Sequence, residues 1–337
     1  MKIYPVFIPH AGCPHRCLFC AQDRSTGQSA APATEELDGW LDRTLPLHGD
    51  GEIAFYGGTF TLLPVKLQEG YLAVARAFVD AARVSGIRIS TRPDALGGDS
   101  VVRLKEAGVT TVEIGCQSFS SAVLCASGRG HSPEDSVAAI QSCRATGLKV
   151  GVQLMPGLPC GDAQEALTSL RRALELEPSF VRIYPTVVID GTELAKLWQT
   201  GGYTPWSLDH AVDVCADMLH LCRLADMPVI RLGLQRDPQL EANLLAGPYH
   251  PAFGQLVRSR LWRRALLSAG SHGRQICVNP NDLSDALGHR GENRQWLEQH
   301  GAGVRLMTNQ AVARGFLKIY GEAFYLNALL AQGGLND

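Results

Sequence analysis

The chain has 337 residues, with 31 Lys and Arg against 33 Asp and Glu and 45% hydrophobic residues. That balance excludes disordered and fibrous classes and describes a globular protein able to bury a sizeable core. No run reaches the ~20 apolar residues of a membrane span, and the opening MKIYPVFIPH lacks the apolar stretch and cleavage site of an export signal, so the sequence predicts a cytoplasmic protein.

Short β-rich runs come first and recur: Ile3–Ile8, Ile53–Tyr56, Ile87–Thr91, Thr111–Gly115, Val150–Met155 and Phe180–Tyr184. Between them lie helix-length segments such as 67–84 and 132–146, whose apolar residues recur at three and four. This alternation predicts an α/β fold of βα units, a partial (β/α)6 TIM-like barrel over residues 1–240, with 228–234 as an extension of the sheet. In such barrels the chemistry sits where strands end. From 241 the pattern changes. A basic amphipathic helix over 258–269, a short helix over 293–300 and strands at 304–307 and 316–320 predict a small C-terminal α+β appendage, 241–337. Ten basic and seven acidic residues there, against 21 and 26 before it, lean toward an anionic partner.

Ten cysteines without an export signal read as reduced thiols, so a close cluster points to metal or redox chemistry. Cys116, Cys125, Cys143, Cys160, Cys215, Cys222 and Cys277 are scattered, as buried small residues are. Cys13, Cys17 and Cys20 are packed together directly after the first strand. Three thiolates spaced four and three apart can converge on one soft metal centre. Structural zinc takes four ligands, with His10 or His15 as the fourth, whereas a 4Fe-4S cube held by three cysteines leaves one iron open.

The C-x3-C-x2-C spacing, Phe19 before the last cysteine and the position after strand one resemble the radical S-adenosylmethionine (radical SAM) superfamily. The resemblance continues in order through Phe55-Tyr56-Gly57-Gly58-Thr59-Phe60, Ser90-Thr91-Arg92-Pro93-Asp94, Glu113-Ile114-Gly115-Cys116-Gln117-Ser118-Phe119, Gly128-Arg129-Gly130-His131, Met155-Pro156-Gly157-Leu158-Pro159 and Arg182-Ile183-Tyr184-Pro185-Thr186. Together with Gly191-Thr192-Glu193-Leu194, Trp198 and Arg236-Asp237-Pro238, these stretches are similar to the radical SAM core of the elongator catalytic subunit and its bacterial relatives, over residues 2–240. The resemblance implies a 4Fe-4S cluster on Cys13, Cys17 and Cys20, with S-adenosylmethionine contacted by Gly57, Gly58 and Thr59 at its amino group. Ser90, Gln117, Arg129 and Gln153 stand where relatives place polar contacts to the cofactor's ribose and carboxylate. Each also has a plainer reading: a strand-end cap for the glutamines, a pair with Glu113 for Arg129, a turn for Ser90. Arg182 and Tyr184 are candidates to face the substrate.

The implied chemistry is reductive cleavage of S-adenosylmethionine to a 5′-deoxyadenosyl radical, fed by an electron donor of the flavodoxin or ferredoxin type, with RNA or tRNA as substrate. A barrel-facing Cys116 or Cys160 is a candidate radical relay. Two departures bear on the substrate. The elongator subunit has a longer gap between its first two cysteines and a following acetyltransferase domain, so acetyl transfer does not carry over. Coproporphyrinogen oxidases of the superfamily share similar regions but have a further cysteine where this chain has Gln22. In the appendage, Arg258, Arg260, Arg263 and Arg264 around Trp262 read either as an RNA-stacking helix or as a solvated face with one buried Trp. The stretch 288–294 reads as a phosphate site or as a turn capped by Asn293. Radical SAM chemistry on a small molecule or peptide, and a non-catalytic metal-stabilised RNA-binding module, remain the alternatives.

Overall fold

A computed structural model describes residues 2–14, 16–22, 24, 30–270, 275–300 and 304–332. Seven strands, β1 (Ile3–Phe7), β2 (Glu52–Tyr56), β3 (Gly86–Thr91), β4 (Val109–Gln117), β5 (Lys149–Leu154), β6 (Phe180–Ile183) and β8 (Val229–Leu232), form one parallel sheet in sequence order. It curls into the partial barrel that the βα alternation predicts, with the 228–234 segment as a seventh strand. A short antiparallel pair, β7 (Val188–Ile189) with β9 (Leu244–Ala246), stands apart from it.

Burial beneath the helices explains the apolar residues at every second strand position. Ile53, Phe55, Ile87, Ile89, Val112, Ile114, Val150 and Val152 are fully buried on the face that the helices cover. The helices start where local chemistry dictates. Ser132 accepts from the Asp135 N–H while the Asp135 carboxylate accepts from the Ser132 N–H, opening helix Pro133–Ala145 with proline at its first turn. Asp162 caps helix Ala163–Glu175, its carboxylate accepting from the Glu165 N–H. Alternate positions on the strands face the inside of the curl, and these carry the polar residues.

The chain divides into two compact units, Met1–Ser207 with Pro228–Tyr249, and Leu208–Met227 with His250–Asp337. In the second, helix Leu208–Leu224 buries Ala211, Val212, Cys215, Leu219 and Cys222 and packs along helix Phe253–Gly270, which buries Val257, Leu261, Trp262, Ala265, Leu266 and Ala269. Cys215 and Cys222 are therefore core thiols. Strands β10 (Gln275–Val278), β11 (Arg305–Thr308), β12 (Phe316–Ile319) and β13 (Glu322–Tyr325) complete a mixed sheet in the order β11-β10-β12-β13.

Of the two readings of the basic helix the one with a buried Trp holds, though its arginines are paired, and the cap reading of Asn293 is corrected. Trp262 is 2% exposed and offers no stacking face, and the arginines around it hold carboxylates: Arg258 binds Asp285, Arg260 binds Asp209 and Asp213, Arg263 binds Glu292, and Arg264 binds Asp213 and Asp217. The positive period of the helix is answered by an acidic one on its partner. Asn293 caps nothing. It is fully buried, its Nδ2 donating to the Ser259, Asp285 and Ala286 carbonyls and its Oδ1 accepting from Arg263 Nε. Among the described residues no helix is long and apolar enough to cross a membrane.

Candidate cofactor and metal site

All the candidate residues of the barrel lie at the ends of its strands, and three connections are drawn together there. Residues 8–13 fold back onto 57–59: Ala11 O accepts from Thr59 N at 2.9 Å, and Cys13 Sγ lies 3.3 Å from Thr59 Oγ1. Gln22 ties the same parts, its Oε1 accepting from His10 N at 2.5 Å and its Nε2 donating to Gly57 O. Glycine is required where they touch. A Cβ at Gly58 would stand 2.2 Å from Ala11 O and 2.6 Å from Ile8 O, and Gly57 sits at φ 101°.

Cys17 is buried and receives Arg129 Nη1 at 3.2 Å. Arg129 Nη2 donates to Gly115 O at 2.5 Å, so one guanidinium links the cysteine loop to β4, and its Nε, buried, meets no partner. The pairing of Arg129 with Glu113 is not formed. Arg92, held in a fork by Asp94, donates to the Arg129 carbonyl and points its Nη1 toward Cys17 Sγ at 4.0 Å. The Cys20 thiol is pushed up to about 12, first by burial and then by the neighbouring sulfurs of Cys17 and Cys13, against the opposing pull of Arg129. Among the described residues no three His, Cys, Asp or Glu side chains are drawn to a common point. What Cys13, Cys17 and Cys20 share is one loop and one electrostatic field. Three soft thiols whose ionised forms repel one another, beside two guanidinium groups, make a donor set that a cationic iron-sulfur cluster fits. His10 Nε2 is occupied by Gln22 N at 3.0 Å, and His15 lies outside the described residues.

Gln117 and Gln153 meet directly, Nε2 of Gln153 donating to Oε1 of Gln117 at 3.1 Å. Gln117 ends β4 in the left-handed region, φ 67°, where the β4–β5 register shifts, an unusual conformation for a residue with a Cβ. Ser90 is half-buried on β3, opposite Glu113 in register. Cys116 faces the helix layer, fully buried and pushed up to about 12 by that burial, and Cys160 is exposed in a turn. A Cys116 relay facing into the barrel is therefore excluded by its position.

A feature that sequence reading missed lies deeper on the same face. Arg88 on β3 bridges Glu52 on β2, Nε to Oε2 at 2.7 Å, and Glu113 on β4, Nη1 to Oε1 at 2.6 Å. Glu113 also binds Arg182 Nη1 from β6 at 2.8 Å and accepts the Tyr56 hydroxyl at 2.8 Å, while Thr111 donates to Glu52 at 2.8 Å. The guanidinium of Arg88 lies 4.9 Å over the Phe180 ring and that of Arg182 5.2 Å over Tyr56. Burial, and then the Glu113 carboxylate, hold the Tyr56 phenol well above its usual range, so it stays a donor. The signal was present: Glu52, Arg88, Glu113 and Arg182 are single charges at alternating positions of otherwise apolar strands.

His131, 7% exposed, is held down to about 4, first by burial and then by Arg129, and its Nε2 lies 3.2 Å from Cys116 O. Folding keeps it neutral while the unfolded chain protonates near 6.5, so the unfolded state binds more protons between those values. Stability is expected to fall as pH drops from about 6.5 to about 4, by up to about 3 kcal/mol for this group. Urea unfolding of the wild type and of His131→Asn across that window checks it. The variant should show the shallower slope.

The profile of the Radical SAM superfamily matches residues 7–172, and that of the Radical_SAM C-terminal domain matches 178–263. The tRNA uridine(34) acetyltransferase of Methanocaldococcus jannaschii is 32% identical over 183 residues, which cover 48% of this chain and 34% of that protein. Elongator complex protein 3 of Saccharomyces cerevisiae is 30% identical over 191 residues, covering 50% and 34%. Among solved structures, the archaeal Methanocaldococcus infernus Elp3 with residues 1–46 deleted superposes with a TM-score of 0.58 at 24% identity, covering 77% of this chain and 62% of that one, a likeness of fold. The chain spans a third to about half the length of the curated relatives it matches.

Proposed function

Because this chain belongs to the radical SAM superfamily and carries the core of one of its enzymes, we propose that it cleaves S-adenosylmethionine reductively in order to modify RNA, with tRNA as the substrate class. The observation that carries this reading is the convergence of the strand ends: the Cys13 and Cys17 thiols lie against Thr59 and Arg129, and Gln117 meets Gln153 at the same end of the sheet. When bound, a 4Fe-4S cluster supplies the electron that splits the sulfonium bond into methionine and a 5′-deoxyadenosyl radical.

Cys13, Cys17 and Cys20 would hold that cluster. Arg129 and Arg92 place positive charge beside Cys17, where it would offset the negative charge of a thiolate-held cluster. Gly57, Gly58 and Thr59 present backbone without side-chain bulk and would bind the amino group of S-adenosylmethionine, while Ser90, Gln117, Arg129 and Gln153 would bind its remaining polar groups. The tRNA substrate class is supported by the relatives, whose names describe proteins acting on tRNA uridine(34). The electron donor is expected to be of the flavodoxin or ferredoxin type.

Low-temperature EPR of anaerobically reconstituted, dithionite-reduced protein tests the reading. A cluster signal that changes on adding S-adenosylmethionine, and that is lost in Cys17→Ala, is the expected result. A spectrum indifferent to the cofactor, or zinc in place of iron, returns the three cysteines to a structural role.

A further inference from the structure

The inner face of the barrel carries more positive charge than its own carboxylates answer. Glu52 is taken by Arg88 and Thr111, and Glu113 by Arg88, Arg182 and Tyr56. Arg182 is in register with Gln153 on one side and with Arg231 of β8 on the other. Three guanidinium groups, Arg88, Arg182 and Arg231, thus stand on this face against two carboxylates. Arg231 is the one left over. It is half-buried, its charge reaches the Tyr184 phenol, and among the described residues it has neither an ion pair nor a hydrogen bond. Arg182, 5.9 Å over the Tyr184 ring, cannot neutralise it, and its own single carboxylate is shared with Arg88.

A half-buried guanidinium that no carboxylate among the described residues holds is open to an anion from outside, and its planar fork matches phosphate. The position says which anion. Gln153, among the proposed cofactor contacts, lies one strand from Arg182 and two from Arg231 in the same layer, so a group held by Arg231 would lie beside the reacting end of the cofactor. We propose that Arg231, backed by Arg182 and Tyr184, holds a phosphodiester of the substrate RNA next to the nucleotide that reacts. This rests on the RNA reading above and adds to it the strand edge at which the polynucleotide enters.

The test uses the anaerobically reconstituted full chain and a fluorescein-labelled pentauridylate, with Arg231→Gln and Arg231→Lys. Arg231→Gln should weaken binding about tenfold at low salt. It should also lower the slope of log affinity against log salt by about 0.7, the loss of one phosphate contact to a single strand. Arg231→Lys, which keeps the charge, should recover most of both and shows that the fold is intact. Unchanged affinity and slope in Arg231→Gln overturn the proposal. So does a matching loss of S-adenosylmethionine affinity in equilibrium dialysis, which would assign Arg231 to the cofactor. If the wild type cleaves S-adenosylmethionine yet binds no oligonucleotide, the RNA reading fails by itself. The anion site then stands only if inorganic phosphate raises the melting temperature of wild type and not of Arg231→Gln, and falls if it does neither.

Discussion

Glu113→Ala is expected to destabilise the protein by about 3–5 kcal/mol, a large part of what holds a domain folded. The carboxylate accepts from Arg88 Nη1 at 2.6 Å and Tyr56 Oη at 2.8 Å and pairs with Arg182 Nη1 at 2.8 Å, and Arg88 and Glu113 are both about 3% exposed. Removing it leaves two buried guanidinium groups sharing what Glu52 alone provides, and Glu52 reaches only Arg88. Urea denaturation gives the size of the effect. A loss under about 1 kcal/mol with an unchanged m-value would show that water screens the network and would sink the expectation. The companion change separates charge from packing: Glu113→Gln removes the charge but keeps the shape and an acceptor oxygen for its partners, and should cost less than Glu113→Ala.

Gly58→Ala is expected to cut iron retained after reconstitution about tenfold or more, since misplacing a binding group by an ångström can cost that much. The added methyl would meet Ala11 O at 2.2 Å, Ile8 O at 2.6 Å and Ala11 N at 3.0 Å, all of it backbone that cannot rotate away. The segment forced to move carries Cys13 at its end. Gly57→Ala differs in kind. Its nearest contact would be the Gln22 amide oxygen at 3.4 Å, which is ordinary, and its penalty is the left-handed dihedral, on the order of 1–2 kcal/mol. Iron and sulfide per chain, beside melting temperature, distinguish the two: Gly58→Ala should lose cluster at a cost in stability, Gly57→Ala mainly stability. Wild-type iron in Gly58→Ala would show that the 8–13 segment is not the element placing the cysteines.

The strands were legible because a parallel sheet covered on one face by helices demands apolar residues at a fixed period, and Ile87, Ile89, Val150 and Val152 supply it. The loops were legible because their chemistry is local: three cysteines in eight residues, two glycines after a strand. The inner network was not, since Arg88 lies 36 residues from Glu52 and 25 from Glu113, Arg182 lies further still from Glu113, and only the strand register reveals that they share a face. Glu113 entered the sequence reading as a partner for Arg129, whereas Arg129 reaches Gly115 and Cys17 and Glu113 holds Arg88 and Arg182. The basic helix around Trp262 misled for a similar reason. Its arginines looked available because their acidic partners are distant in sequence: Asp209, Asp213 and Asp217 for Arg260 and Arg264, on a helix some fifty residues earlier, and Asp285 and Glu292 for Arg258 and Arg263, about thirty residues later.

That earlier helix has a consequence for how the protein is made. Leu208–Leu224 leaves the ribosome before β8, yet the residues against which it buries Ala211, Cys215 and Leu219 are translated only after 253. During synthesis the sheet can gain its seventh strand while this helix is still waiting, its apolar side open to chaperones or to other nascent chains. A truncation after residue 240 would make that interval permanent, and is expected to yield aggregate in place of an isolated barrel.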